Sequence, residues 1–181
     1  YWLYAQTVGA HCPCYCDVDT DRMGHAASRW PNAKAYTDYR EMFDRHHKDM
    51  DAVMIGIPDH SHFPATMMAM QLGKHVYTQK PLTHTVWEAR QVARAAKKYR
   101  LATQMGNQGH AGEGIRVVYE CIRSGMLGDI VEVHTWTNRP IWPQGIDRPE
   151  GADPVPESLN WKAWIGPAPT RPYKKDVYHA F

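Results

Sequence analysis

Apolar residues along this chain fall into short continuous runs, and amphipathic stretches of helical period lie between them. Residues 51–58 (DAVMIGIP), 74–79 (KHVYTQ) and 101–106 (LATQMG) read as strands covered on both faces. Residues 61–73 (SHFPATMMAMQLG) read as a helix closed by Gly73. In residues 85–99 the positions Val86, Ala89, Val92, Ala93, Ala96 and Tyr99 form one stripe, and Thr85 with Glu88 makes a capping box. Residues 113–125 (EGIRVVYECIRSG) predict a further helix ending at Gly125. Upstream, a strand is expected within residues 10–19 (AHCPCYCDVD), then a helix over 20–30, a strand at 33–36 (AKAY) and a helix capped by Asp38.

Strand and helix thus alternate through short connections, the pattern of parallel βαβ units and a doubly wound Rossmann-type sheet. After Gly128 the pattern changes. Residues 129–138 (DIVEVHTWTN) alternate strictly, which predicts a half-buried, antiparallel strand of an α+β domain. A Pro- and Trp-rich stretch follows, carrying Trp142, Trp161 and Trp164, and reads as an ordered loop. The organisation expected is a dinucleotide-binding domain over 1–126 and the start of a substrate and oligomerisation domain over 127–181, both truncated.

Composition narrows the function. A formal net charge of +2, with basic residues scattered, argues against a nucleic-acid surface. No apolar run approaches the ~20 residues of a membrane span. Four cysteines in 181 residues do not make a disulfide scaffold. The chain begins at Tyr1, so compartment, cytoplasmic or exported, stays open.

The candidate chemistry sits at the strand ends. An acidic residue after the second strand of a dinucleotide-binding unit accepts hydrogen bonds from the adenosine ribose. Asp17 is the candidate and Asp19 the second, with a plain turn aspartate as the alternative. A carboxylate there repels a 2′-phosphate and favours NAD over NADP. Pro58, Asp59, His60 and His62 follow a strand on the ligand side of an open sheet. His60 and His62 form an H-x-H pair, and Cys12, Cys14 and Cys16 are spaced to face one way along a strand. Neither has the further ligands of a metal site, so no metal is expected and the thiols read as buried packing. Lys80, directly before Pro81, and Asn107 with His110 occupy the ends of the next two strands.

In order, CDVD, YTDYREMFD, DAVMIGIPDHSHFP, GKHVYTQKPLTHTVWEA and TQMGNQGH resemble the Gfo/Idh/MocA oxidoreductases, the glucose–fructose oxidoreductase and inositol dehydrogenase family, from Cys16 to Phe181. EVHTWTNRPIWPQG resembles a bacterial branch of it. The resemblance implies an NAD-dependent oxidoreductase acting on a sugar, polyol or sugar derivative, homo-oligomeric in its full form. It implies Lys80 and His110 as catalytic residues, with Lys80 moving a proton during hydride transfer and Pro81 fixing its turn. Asp17, Pro58, Asp59, His62, Gln79, Lys80, Pro81 and Asn107 would meet the cofactor. The family has Glu where this chain has Gln79. It also opens with a strand and a G-x-G-x-x-G turn for which residues 1–10 leave no room, and its catalytic Asp and His fall beyond Phe181. The chain therefore reads as an internal piece, inactive alone. Alternatives are the family's NAD-dependent glycosidases, which oxidise transiently and recycle the cofactor, a non-catalytic nucleotide-binding remnant, and a metal-dependent hydrolase on His60 and His62.

Overall fold

The computed structural model describes residues 9–138 and 145–178. Elements alternate as expected: β1 (Cys14–Cys16), a 3₁₀ turn (Thr20–Met23) running into α1 (Gly24–Arg29), β2 (Lys34–Tyr36), α2 (Tyr39–His46), β3 (Ala52–Ile55) and α3 (His62–Gln71). They continue with β4 (His75–Gln79), α4 (Val86–Tyr99), β5 (Thr103–Gly106), α5 (Gln108–Ala111), α6 (Glu113–Arg123) and α7 (Trp161–Ile165). Every strand ladder among the described residues is parallel, and the architecture is Rossmann-type.

The described strands fall into two sheets, β1–β2 and β3–β4–β5. These are the two flanks of a 3-2-1-4-5-6 order on either side of its first strand. The expectation that residues 1–10 leave no room for a strand with its glycine turn and crossover falls almost wholly on residues 1–8, outside the described residues. Pro13 stays out of the β1 ladder because it has no N–H to donate, yet its carbonyl accepts from Lys34 N at 3.0 Å.

Caps decide where the helices begin. Asp38 Oδ1 accepts from Arg40 N at 2.9 Å to start α2. The Arg40 side chain bonding to Asp38 holds that carboxyl below its ordinary pKa. Thr85 Oγ1 accepts from Glu88 N at 3.2 Å, and Glu88 Oε2 accepts back from Thr85 N at 2.9 Å, the full capping box. Gly73, at φ +75, closes the turn after α3.

One core binds α2, α3 and α4 to β3 and β4, built from Met42, Phe43, Ile55, Ala65, Ala69, Met70, Val76, Val92 and Ala95. Within it Thr66 and Thr78 share a buried 2.8 Å hydrogen bond, so α3 is keyed to β4 by a satisfied polar pair. The stripe on α4 holds over its later turns, where Val92 is buried and Ala96 and Tyr99 pack against the core, joined by Ala95, while Val86 at its start is 71% exposed.

The strand expected over 129–138 does not form. Val131 is 94% exposed and Trp136 87%, and no ladder among the described residues pairs with this segment. Alternation prepares a strand, but a partner edge must satisfy its backbone and cover its apolar face. None of the described strands offers one here.

Candidate functional site

The carboxyl ends of β3, β4 and β5 lie side by side because their registers are tight. Ile55 pairs with Thr78, and Gln79 with Gly106. The next backbone bond, Lys80 N to Gly106 O at 3.2 Å, carries the pairing one step past the ladder. Lys80 is thereby fixed beside Asn107 at one sheet edge, where open α/β sheets bind ligands. The Lys80 side chain is exposed, and among the described residues no carboxylate pairs with it. The Lys80–Pro81 peptide is cis.

Gln79 lies flat over Gly106. A Cβ on Gly106 would stand 1.7 Å from Gln79 Oε1, so only glycine leaves room for that side chain. Gln108 clasps it from the other side, donating from Nε2 to Gln79 Oε1 at 3.2 Å. Gln79 was expected at the cofactor, and the structure gives its amide to Gln108. The pairing partner is 29 residues away, and no local sequence signal announces it.

His62 was expected to line the cofactor. Its side chain is fully buried. Its Nε2 lies 2.8 Å from Ile57 O and its Nδ1 faces Pro81 O, so the ring is held between two carbonyls. It ties the loop after β3 to the Lys80–Pro81 turn from beneath, so it supports the cleft rather than facing it. Pro58 is half-buried and Asp59 exposed at the mouth of the same loop, both on the ligand side.

His60 turns away from His62 and donates from Nε2 to Trp164 O at 2.8 Å. Both members of the H-x-H pair therefore spend their donors on carbonyls. Among the described residues no three His, Cys, Asp or Glu side chains converge as a metal group. Asn107 is exposed at the start of α5, and its carbonyl accepts from His110 N at 2.9 Å. The His110 side chain lines an open hollow with Ile115, Arg116, Tyr119 and Glu120 of α6, and no hydrogen bond joins it to Lys80.

On the other sheet Asp17 follows β1, half-buried, and its Oδ1 accepts from Asp19 N at 3.0 Å, which orients the carboxylate. Asp19 has a structural place: its side chain caps the turn Thr20–Met23 by accepting from Asp21 N at 3.1 Å, and it lies 3.5 Å from Arg22 Nε. Burial pushes the Cys14 thiol up to about 11 and the Cys16 thiol to about 12. Both are half-buried and pack against the core, whereas Cys12, expected beside them, is half-buried and not among the residues packed there.

The family described as an oxidoreductase family with an NAD-binding Rossmann fold, Gfo/Idh/MocA, matches residues 4–107. An uncharacterized oxidoreductase of Schizosaccharomyces pombe is 31% identical over 66% of this chain and 32% of its own length. Inositol 2-dehydrogenase of Salmonella typhimurium is 28% identical over 72% of this chain and 39% of its own. The chain thus spans about a third of the length of the curated relatives it matches. Among solved structures, scyllo-inositol dehydrogenase from Lactobacillus casei, with bound NAD(H) and scyllo-inositol, superposes with a TM-score of 0.60 at 22% identity. That overlay covers 69% of this chain and 37% of that one, and establishes the shared fold.

Proposed function

This chain belongs to the Gfo/Idh/MocA family of oxidoreductases with an NAD-binding Rossmann fold, and from that premise we propose that it serves an NAD-dependent oxidoreductase of sugars, polyols or their derivatives. The observation that carries the reading is the convergence of Pro58–Asp59, Lys80 and Asn107 at one parallel sheet edge, with Asp17 at the end of the neighbouring sheet. The donor set suits a dinucleotide: a carboxylate for ribose hydroxyls at one end, and a cation beside an amide at the other. Asp17 holds the adenosine end, Pro58 and Asp59 the middle, and Asn107 with Pro81 the nicotinamide end.

The cofactor supplies the hydride acceptor or donor. Lys80 does the proton work. Its amine takes the proton of the substrate hydroxyl as the carbonyl forms, and returns it in the reverse direction. The paired Gln79 and Gln108 brace β4 and β5 just behind it, and His62 holds the turn that follows it.

The test is turnover by a protein carrying this chain, with NAD and a panel of inositols, hexoses and their derivatives. Net NADH should accumulate, and Lys80→Ala should lower kcat by ~100-fold or more, with a smaller change in NAD affinity. Release of an aglycone without net NADH would move the reading to the family's glycosidases. Absence of NAD binding would end it.

A further inference from the structure

Residues 158–166 run across the same edge and touch both sheets. On the β1 side, Asn160 N donates to Val18 O at 2.7 Å, and Thr20 N donates to Ser158 O at 3.0 Å. Between these two bonds Asp19 and Leu159 form an antiparallel bridge. On the β3 side, His60 donates to Trp164 O at 2.8 Å, with its ring edge-on to the indole at 5.4 Å. Gly166 lies so close to Ser61 that a Cβ would stand 2.6 Å from Ser61 Oγ. The stretch is itself stiff. Asn160 Oδ1 caps α7 by accepting from Ala163 N, Trp161 and Trp164 stack at 4.9 Å, and Trp161 Nε1 donates to Arg171 O.

The two loops it joins carry Asp17 on one side and Pro58 and Asp59 on the other. Among the described residues their sheets share no ladder, and residues 158–166 bond to the loops of both. Helix packing in the core sets the strands below; at the carboxyl edge the hydrogen-bonded strap spans the gap.

We propose that residues 158–166 are a strap that sets the width of the adenosine end of the cofactor cleft, with His60 as a positioning residue acting through Trp164. This rests on the NAD-dependent reading above. None of these bonds reaches β4 or β5, which carry Lys80 and Asn107, so the strap's effect falls on the adenosine side more than on the nicotinamide end.

The experiment measures binding of NADH, ADP-ribose and reduced nicotinamide mononucleotide to the parent and to His60→Ala, His60→Gln, Gly166→Ala and the double variant His60→Ala/Gly166→Ala. His60→Ala loses the bond to the strap, and Gly166→Ala drives a methyl into Ser61. Each should raise Kd for ADP-ribose and NADH by about three- to tenfold, the size of one net hydrogen bond. Kd for reduced nicotinamide mononucleotide should stay within about twofold. His60→Gln, whose amide N–H can still donate to the Trp164 carbonyl, should behave as the parent. The double variant should be no worse than the worse single, because both break one tether. Amide exchange at Thr20 and Asn160 should quicken in the Ala variants. Additive losses would make His60 a direct adenosine contact and overturn the strap. Equal losses for the mononucleotide, or unchanged ADP-ribose binding, would overturn it too. A parent that binds no NADH removes the functional reading itself, which is distinct from a parent that binds it while the variants bind equally well.

Discussion

Asp17→Asn isolates the charge behind cofactor choice. The carboxylate is half-buried at the end of β1, and its Oδ1 accepts from Asp19 N at 3.0 Å. An asparagine Oδ1 can make the same bond to Asp19 N, so that contact is kept while the negative charge is removed. A 2′-phosphate carries about −1.5 to −2 charges. At a separation of ~5 Å and an effective dielectric of ~40–80, its repulsion by the carboxylate costs about 1.5–3 kcal/mol. NADPH should therefore bind the parent roughly 10- to 150-fold more weakly than NADH. Asp17→Asn should recover most of that for NADPH, while NADH weakens by about threefold to tenfold as its ribose loses a charge-assisted partner. Fluorescence titration of both reduced cofactors, at low salt and again near physiological ionic strength, reads the ratio. Added salt should shrink the parent's preference, since the screening length falls to about 8 Å. Equal affinity of the parent for both cofactors would refute the argument, as would a ratio that Asp17→Asn leaves in place.

Three further outcomes follow from side chains away from the cofactor. Iodoacetamide at pH 8 should leave Cys14 and Cys16 unmodified in the folded chain and label them after urea, because burial holds both thiols protonated there; peptide mass spectrometry reads it. Dialysis against a chelator followed by elemental analysis should find no stoichiometric zinc, since His60 and His62 donate to carbonyls; retained zinc would contradict that geometry. Gly106→Ala should cost about 1–3 kcal/mol in urea unfolding by evicting the Gln79 amide, and much less in a Gln79→Ala background; equal costs in both backgrounds would mean the close approach at 1.7 Å is not what glycine serves.

The fold was legible wherever a local pattern and its cap agreed. Thr85 with Glu88, Asp38 before α2 and the runs behind β3, β4 and β5 all carry their signal within a few residues. Lys80 and Asn107 were legible as neighbours because parallel strands place successive ends together. What the sequence hid was pairing at long range. The Gln79–Gln108 clasp spans 29 residues and the His60–Trp164 bond 104, and neither side chain type names its partner. His62 was misplaced for a related reason: a histidine at a strand end looks like a ligand residue until the carbonyls of Ile57 and Pro81 are seen around its ring.

The segment after α6 shows the opposite failure, a local pattern with no place to act. Residues 129–138 alternate as well as any strand in the chain, yet Val131 and Val133 are 94% and 76% exposed. Alternation states only which residues would face a core. The same surplus appears on α6, where Ile115, Val118, Tyr119 and Ile122 recur at helical spacing and are all exposed. Residues 158–166 hold against the Rossmann unit through named bonds at both ends, whereas 129–138 makes no ladder. Of the stretch beyond α6, therefore, the part that bears on the cofactor is the one whose backbone groups are already spent on the two loops, and it was the part with the least periodicity to read.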